Sequence, residues 1–138
     1  MSQENVEVVR RLYDAARRGD DALPFELYAR DIEWDARGAW PGRAISDLGR
    51  VYRGHEGVRR FWRDYLSAFE RYDFTVEELI DAGDQVLAVV REHATGRLSQ
   101  VALDNAVYAL WTVHHGKLVR MRLYPTRMEA LEAAGLRE

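Results

Sequence analysis

VYALWTVHHGKLVRMRLYPTRMEALEAAGL, residues 107–136, reads as the end of one strand, a two-residue turn, a second strand and a short closing helix. From Val101 to His114 and from Lys117 to Tyr124, apolar and polar residues alternate with the period of a half-buried strand. His115-Gly116 suits the tight turn between them, because Gly accepts positive φ and His tolerates it better than most residues. Thr126-Arg127-Met128-Glu129 matches a capping box, and Gly135 is a helix stop that lets Leu136 fold back on Leu131. On the last strand Val119, Met121 and Leu123 share one face, while Arg120, Arg122 and Tyr124 share the other. On the strand before it the more apolar set is Val107, Ala109, Trp111 and Val113, opposed by Tyr108, Leu110, Thr112 and His114. The apolar sets are expected to face the interior.

Working back toward the N-terminus, Phe74–Asp81 and Gln85–Thr95 are two more strand-like runs. From Gly54 onward Val58, Phe61, Trp62, Tyr65 and Phe69 form the strongest helical stripe in the chain. Residues 37–53 carry Gly38, Pro41, Gly42 and Gly49 without a sustained period and read as a long loop, in which Trp40 is a candidate lid or partner contact. Ile32–Ala36 alternates as a strand, with Asp31, Glu33 and Asp35 on an acidic, solvated face. Ser2–Arg18 repeats Val9, Leu12, Tyr13 and Ala16 at helical spacing and stops at Gly19, and Leu23–Arg30 reads as a second short helix. Helices first and meander strands afterwards predict an α+β domain, a curved antiparallel sheet wrapped around the N-terminal helical hairpin and a long third helix. Such a cone has an open mouth where a small ligand fits.

With 138 residues the chain has room for one domain, taken as residues 1–138. Apolar residues make up 47% and charged residues 31%, a balance that predicts a folded domain, not a membrane span or a disordered chain. Interspersed charge, 20 basic against 23 acidic residues, argues against a nucleic-acid partner. Zero cysteines exclude a disulfide framework and a thiolate nucleophile. The N-terminus has no apolar run after a basic start, so a cytoplasmic protein with no membrane partner is expected. The four histidines lack metal-ligand spacing, and no nucleophile elbow or glycine-rich phosphate loop is present. Asp104-Asn105 reads as turn chemistry.

The strand at 85–95 is ambiguous, because Val86, Ala88 and Val90 are as apolar as Leu87 and Val89. Its choice of face decides whether Glu92, or Arg91 with His93, enters the interior. An inward Glu92 beside Trp111, Met121 and Trp34 has its charged form disfavoured by desolvation, which raises its pKa toward the range useful for proton transfer. An outward Glu92 is a solvated side chain or an ion-pair partner of Arg91. On the outer face of the sheet Leu118, Tyr124, Tyr108 and Leu110 are too apolar to be left wet, and a homodimer through that face is expected.

The order of elements, the segment Tyr52-Arg53-Gly54-His55-Glu56-Gly57 and the tail at 107–136 together resemble the SnoaL-like branch of the nuclear transport factor 2-like superfamily. The resemblance implies a cone-shaped, cystatin-like α+β roll and sheet-to-sheet homodimers. A rough alignment of Val90–Gly96 with the ketosteroid isomerases of that superfamily places Val90, Glu92 and Ala94 inward. The isomerases' other stations fall on the wrong chemistry: their helix-one tyrosine nearest Leu12, their base on Ala36, and their oxyanion acid on Val107 or Tyr108. The cyclase aspartate falls near Ala109, and the Arg–Asp pair of the epoxide hydrolases falls on Val90 and Glu92. The expectation is a domain of unassigned activity, without catalysis and without a cofactor, whose cavity binds a small apolar molecule or is filled by its own side chains in a pure dimer module. Its lining is expected from Trp34, Trp40, Tyr65, Val90, Val107, Ala109, Trp111, Met121 and Leu123. The alternative is an isomerase-, cyclase- or hydrolase-type enzyme on a small apolar cyclic substrate, with Glu92 as general base and Tyr13, Tyr65 or Tyr108 as hydrogen-bond donor.

Overall fold

A computed structural model describes residues 2–38 and 48–136 of the chain; Trp40 lies outside the described residues. Helices α1 (Ser2–Arg17) and α2 (Leu23–Leu27) lead into β1 (Tyr28–Asp35), and β2 (Val51–Arg53) runs directly into α3 (Gly54–Leu66). Four strands follow, β3 (Phe69–Ala82), β4 (Gln85–Gly96), β5 (Ala102–His114) and β6 (Lys117–Tyr124), and α4 (Arg127–Ala133) closes the described chain. The strands form one sheet in the order β2-β1-β6-β5-β4-β3. Its pairs are antiparallel except β1 with β6, which is parallel, a departure from the all-antiparallel sheet expected. Helix α3 touches β1 and β2 at one end of the sheet and β3 at the other. Five steps of about 4.8 Å would make a flat sheet about 24 Å wide, twice the diameter of a helix. The sheet therefore curls around α3, with α1 filling the remaining concave side against β3, β4, β5 and β6.

Two segments differ from the expectation because distant contacts outweigh local pattern. Helix α2 stops at Leu27, not Arg30, since Tyr28 is already extended. Tyr28 is buried against Phe25, Trp34 and Trp111, and its carbonyl lies 3.1 Å from His55 Nε2. Within the run read as a loop, Val51–Arg53 pairs with β1. Gly54 then turns the chain into α3 with φ near +70°, a conformation that a side chain would strain.

The inner face is a ladder of rows read across the sheet. Trp34, Met121, Trp111 and Val86 are successive partners in one row, and Val107 with Val90 and Asn105 with Glu92 are partners in rows toward the other end. Strand β6 deviates from simple alternation: Thr112 pairs with Arg120 but Val113 pairs with Leu118, so Val119 is an extra residue. This bulge turns Leu118 inward, where it is fully buried with Met121 and Leu123, instead of outward as alternation from Val119 implied. The remaining outward apolar residues, Tyr108, Leu110 and Tyr124, pack with Leu87 against Ala130 and Leu131 of α4. Leu110 is buried there while Tyr108 and Tyr124 stay half-buried, so α4 covers part of the apolar surface on which an outer-face homodimer is expected. The tail closes as its sequence implies. Thr126 Oγ1 accepts from the Glu129 amide and donates to its carboxylate, and the Leu136 and Gly135 amides return to the Leu131 and Glu132 carbonyls.

The acidic row of β1 is solvated at Asp31 but ion-paired at its other two residues. Glu33 bridges Arg53 and Arg120, and Asp35 is buried at 1% exposure. The Asp35 carboxylate accepts from Arg37 Nε at 3.0 Å and Nη2 at 2.8 Å, with Arg122 Nε at 3.6 Å. The Arg37 guanidinium holds its carboxyl below the usual carboxylate range, outweighing the opposing effect of burial. We expect Asp35→Asn to destabilise the fold at neutral pH by about 1–2 kcal/mol, the low end for a charged hydrogen bond whose arginine partners are exposed. Because the folded carboxyl titrates below its unfolded value of 3.8, that difference is present above this pH and shrinks as pH falls through the folded value. Urea unfolding of both proteins across the acid range measures it; equal stabilities at neutral pH would refute the role.

Candidate functional site

Strand β4 resolves its ambiguity through the partners of its charged residues. Arg91 points to the outer face, where it bonds Glu77 at 3.1 Å and Asp104 at 3.0 Å, and His93 Nδ1 lies 3.6 Å from the same Asp104. Alternation then sends Val90, Glu92 and Ala94 inward, all three buried. Asp104 and Asn105 accordingly sit in β5, facing opposite sides, and not in a turn.

Glu92 is 8% exposed and accepts two hydrogen bonds, one on each carboxylate oxygen. The Tyr65 hydroxyl donates to Oε1 at 2.7 Å, and the Tyr72 hydroxyl donates to Oε2. Tyr65 comes from the last turn of α3, its ring stacked on Phe61 at 5.5 Å and edge-on to Phe69 at 5.1 Å. Tyr72 comes from β3, its ring over Phe69 at 5.9 Å and edge-on to Trp62 at 6.3 Å. No Arg, Lys or His among the described residues pairs with Glu92. Desolvation pushes its carboxyl above the usual range, and the two tyrosine hydroxyls, which favour the charged form, offset only part of that push. Burial, then the neighbouring Glu92 charge, pushes both tyrosines upward, so their protons stay on oxygen.

Tyr13 of α1 lies between this group and the apolar floor. Its ring meets Phe74 at 6.0 Å and Trp111 at 6.2 Å, and its oxygen accepts from Trp111 Nε1 at 3.0 Å. The Tyr13 proton is therefore not committed to Trp111, and no hydrogen bond uses it among the described residues. Burial holds it on the oxygen.

The structure thus brings Glu92, Tyr13, Tyr65 and Val90 together, with Val107 as the cross-strand partner of Val90. Trp34, Ala109, Trp111, Met121 and Leu123 belong to the buried floor, where Trp34 Nε1 is buried with no hydrogen-bond partner among the described residues. Tyr108 is a correction. It packs under α4 with Leu87 and Leu110, on the opposite side of the sheet from Glu92, so it cannot donate there. Sequence reading missed Tyr72, because β3 begins five residues earlier than expected, at Phe69 and not Phe74. The period-2 series Tyr72, Phe74, Val76 carried the signal. It also missed Asn105, which is exposed and directly across from Glu92.

The SnoaL-like domain profile matches residues 9–121. No protein with a curated description matches. Among solved structures, a nuclear transport factor 2-like protein of Burkholderia thailandensis E264 is 26% identical, with TM-score 0.75 over 96% of this chain and 97% of that one. TerC, co-crystallised with polyporic acid, is 21% identical with TM-score 0.76, covering 96% of this chain and 98% of its own. A Mesorhizobium loti protein provisionally named a SnoaL-like polyketide cyclase is 24% identical, with TM-score 0.67 over 86% and 96%. These likenesses agree with the observed α+β roll, and since the profile spans most of the chain, the chain belongs to the SnoaL-like domain family.

Proposed function

We propose that the protein binds a small, largely apolar, ring-bearing molecule against its concave face and that Glu92 removes a proton from it. One observation carries this reading: a carboxylate buried among aromatic rings whose partners, among the described residues, are neutral hydroxyls and no cation. A fold gains nothing from desolvating a charge without a counter-ion, and such groups cluster where proton chemistry is done. Desolvation makes the carboxylate a stronger base than one in water, and one lone pair on each oxygen is left for the ligand. Tyr13 supplies the complementary donor for an oxygen that gains charge as the proton leaves. A carboxylate does this chemistry unaided by a cofactor. The relative crystallised with polyporic acid and the one named as a polyketide cyclase support a small organic ligand.

The base is tested without knowing the natural substrate by using a nitrobenzisoxazole, an apolar ring whose C–H proton, once taken by a carboxylate, triggers N–O cleavage to a coloured cyanophenolate. We expect the protein to accelerate this elimination over the same concentration of acetate, and Glu92→Gln to lose at least about 100-fold of that rate. A Gln variant as active as the parent, or a parent no better than acetate, would remove Glu92 as the base. Polyporic acid is the first compound for a melting assay, since a ligand at 100 times its Kd stabilises by about 2.7 kcal/mol.

The same substitution has a stability signature. Because the Glu92 carboxyl is raised above its ordinary 4.5 in the fold, ionisation favours the unfolded chain. The parent should lose stability relative to Glu92→Gln as pH climbs from about that value through the raised one, with a constant difference above it. A pH series of urea unfolding curves reads this directly, and a pH-independent difference would contradict the burial argument.

A further inference from the structure

We propose that Tyr65 and Tyr72 are positioning residues for Glu92, two hydroxyls from separate elements that clamp the carboxylate in one orientation and set how readily it accepts a proton. The inference rests on the reading of Glu92 as the proton acceptor and assigns roles around it. Tyr65 donates to one carboxylate oxygen from α3 and Tyr72 donates to the other from β3, so rotation of the carboxylate would break both bonds at once. Each hydroxyl proton is already used on Glu92. Neither tyrosine can therefore be the donor to a ligand oxygen, and of the tyrosines considered for that role only Tyr13 remains.

The clamp is itself held rigidly. Tyr65 is wedged between Phe61 and Phe69, and Tyr72 lies against Phe69 and Trp62. One ring, Phe69, touches both tyrosines, and Trp62 touches Tyr65 at 5.8 Å as well as Tyr72. These rings keep the hydroxyls at hydrogen-bonding distance before a ligand arrives, which is the condition for a preorganised site.

Among the described residues no other charged group competes for control of the carboxylate. From α1 the facing groups are Tyr13, bonded to Trp111, and Arg17, exposed and bonded to the Phe74 carbonyl with its guanidinium over the Phe74 ring. From β5 it is Asn105, which is uncharged. The neighbours on β4, Arg91 and His93, are turned to the outer face with Glu77 and Asp104. Hydrogen bonds to the ionised form favour it, so the two hydroxyls oppose the desolvation that pushes the carboxyl upward.

Tyr→Phe keeps every ring contact and removes only the oxygen, so a purely packing role predicts no change in the titration of Glu92. In protein labelled with carboxyl carbon-13 glutamate, with the Glu92 signal identified by its loss in Glu92→Gln, we expect the midpoint to rise by about one pH unit in Tyr65→Phe and in Tyr72→Phe, and further in the double variant. The acid limb of kcat/KM for the nitrobenzisoxazole should move by the same amount. A midpoint that stays or falls in both single variants overturns the clamp, even if elimination depends on Glu92. A midpoint that rises while the parent lacks elimination leaves the clamp standing and removes the base.

Discussion

A sheet that curls until α3 touches both of its ends hides most of one face, and that closure dictates which side chains the chain can place there. The rows of that face run from Trp34, Met121, Trp111 and Val86, all buried, through Val107 and Val90 to Glu92 and the exposed Asn105. Aromatic rings fill the wide end, because rows of four strands leave more space than aliphatic side chains alone occupy. Tyr28, Trp34 and Trp111 contact one another within about 6 Å, and Phe61 and Trp62 extend the cluster from α3. Beyond Tyr108 the β6 strand has ended, so β5 has lost its neighbour and the inner face opens. Glu92 stands at that opening, where the apolar wall is still close enough to exclude most water.

The two buried acids show how surroundings, not residue type, decide charge. Asp35 and Glu92 are both nearly inaccessible. Asp35 is gripped by Arg37 with Arg122 nearby, and its carboxyl titrates low. Among the described residues Glu92 has only hydroxyl partners, and its carboxyl is pushed upward by burial. Each hydroxyl stabilises the anion less than a guanidinium does, since it brings no net charge. The first arrangement fastens the end of β1 to β6 and serves stability. The second leaves part of the desolvation penalty standing, which is a liability to the fold and an asset to a base.

What could be read from the sequence was local. The bounds of β6, the His115-Gly116 turn with both residues at positive φ, and the capping box and return contact of α4 each depend on residues a few positions apart. What escaped depends on partners far along the chain. Tyr28 joins a strand because Trp111 and His55 await it, and Val51–Arg53 becomes a strand only because Glu33, Trp34 and Asp35 lie beside it. Leu118 faces inward because of a bulge, and a single extra residue reverses every inference drawn from alternation upstream of it. Glu92 was legible as a candidate but its face was not, since β4 is apolar on both sides. Its inner side meets α1 and its outer side meets α4 through Leu87. A doubly covered strand has no alternation to read.

The apolar character of Leu12, Ala36, Val107 and Ala109, where related enzymes are expected to hold their polar groups, takes on a different meaning beside this geometry. Those positions are floor and wall, and Leu12, Ala36 and Ala109 are buried in the core. A base on β4 with supports from α3 and β3 approaches a ligand from a different wall than a base at the end of β1. The ligand atom that meets Glu92 would then be one facing β4, with Tyr13 approaching from α1. Because the fold permits acids on several walls of one concavity, membership in the family does not name the chemistry, and under the proposed reading the bond that changes is decided by which wall carries the charge.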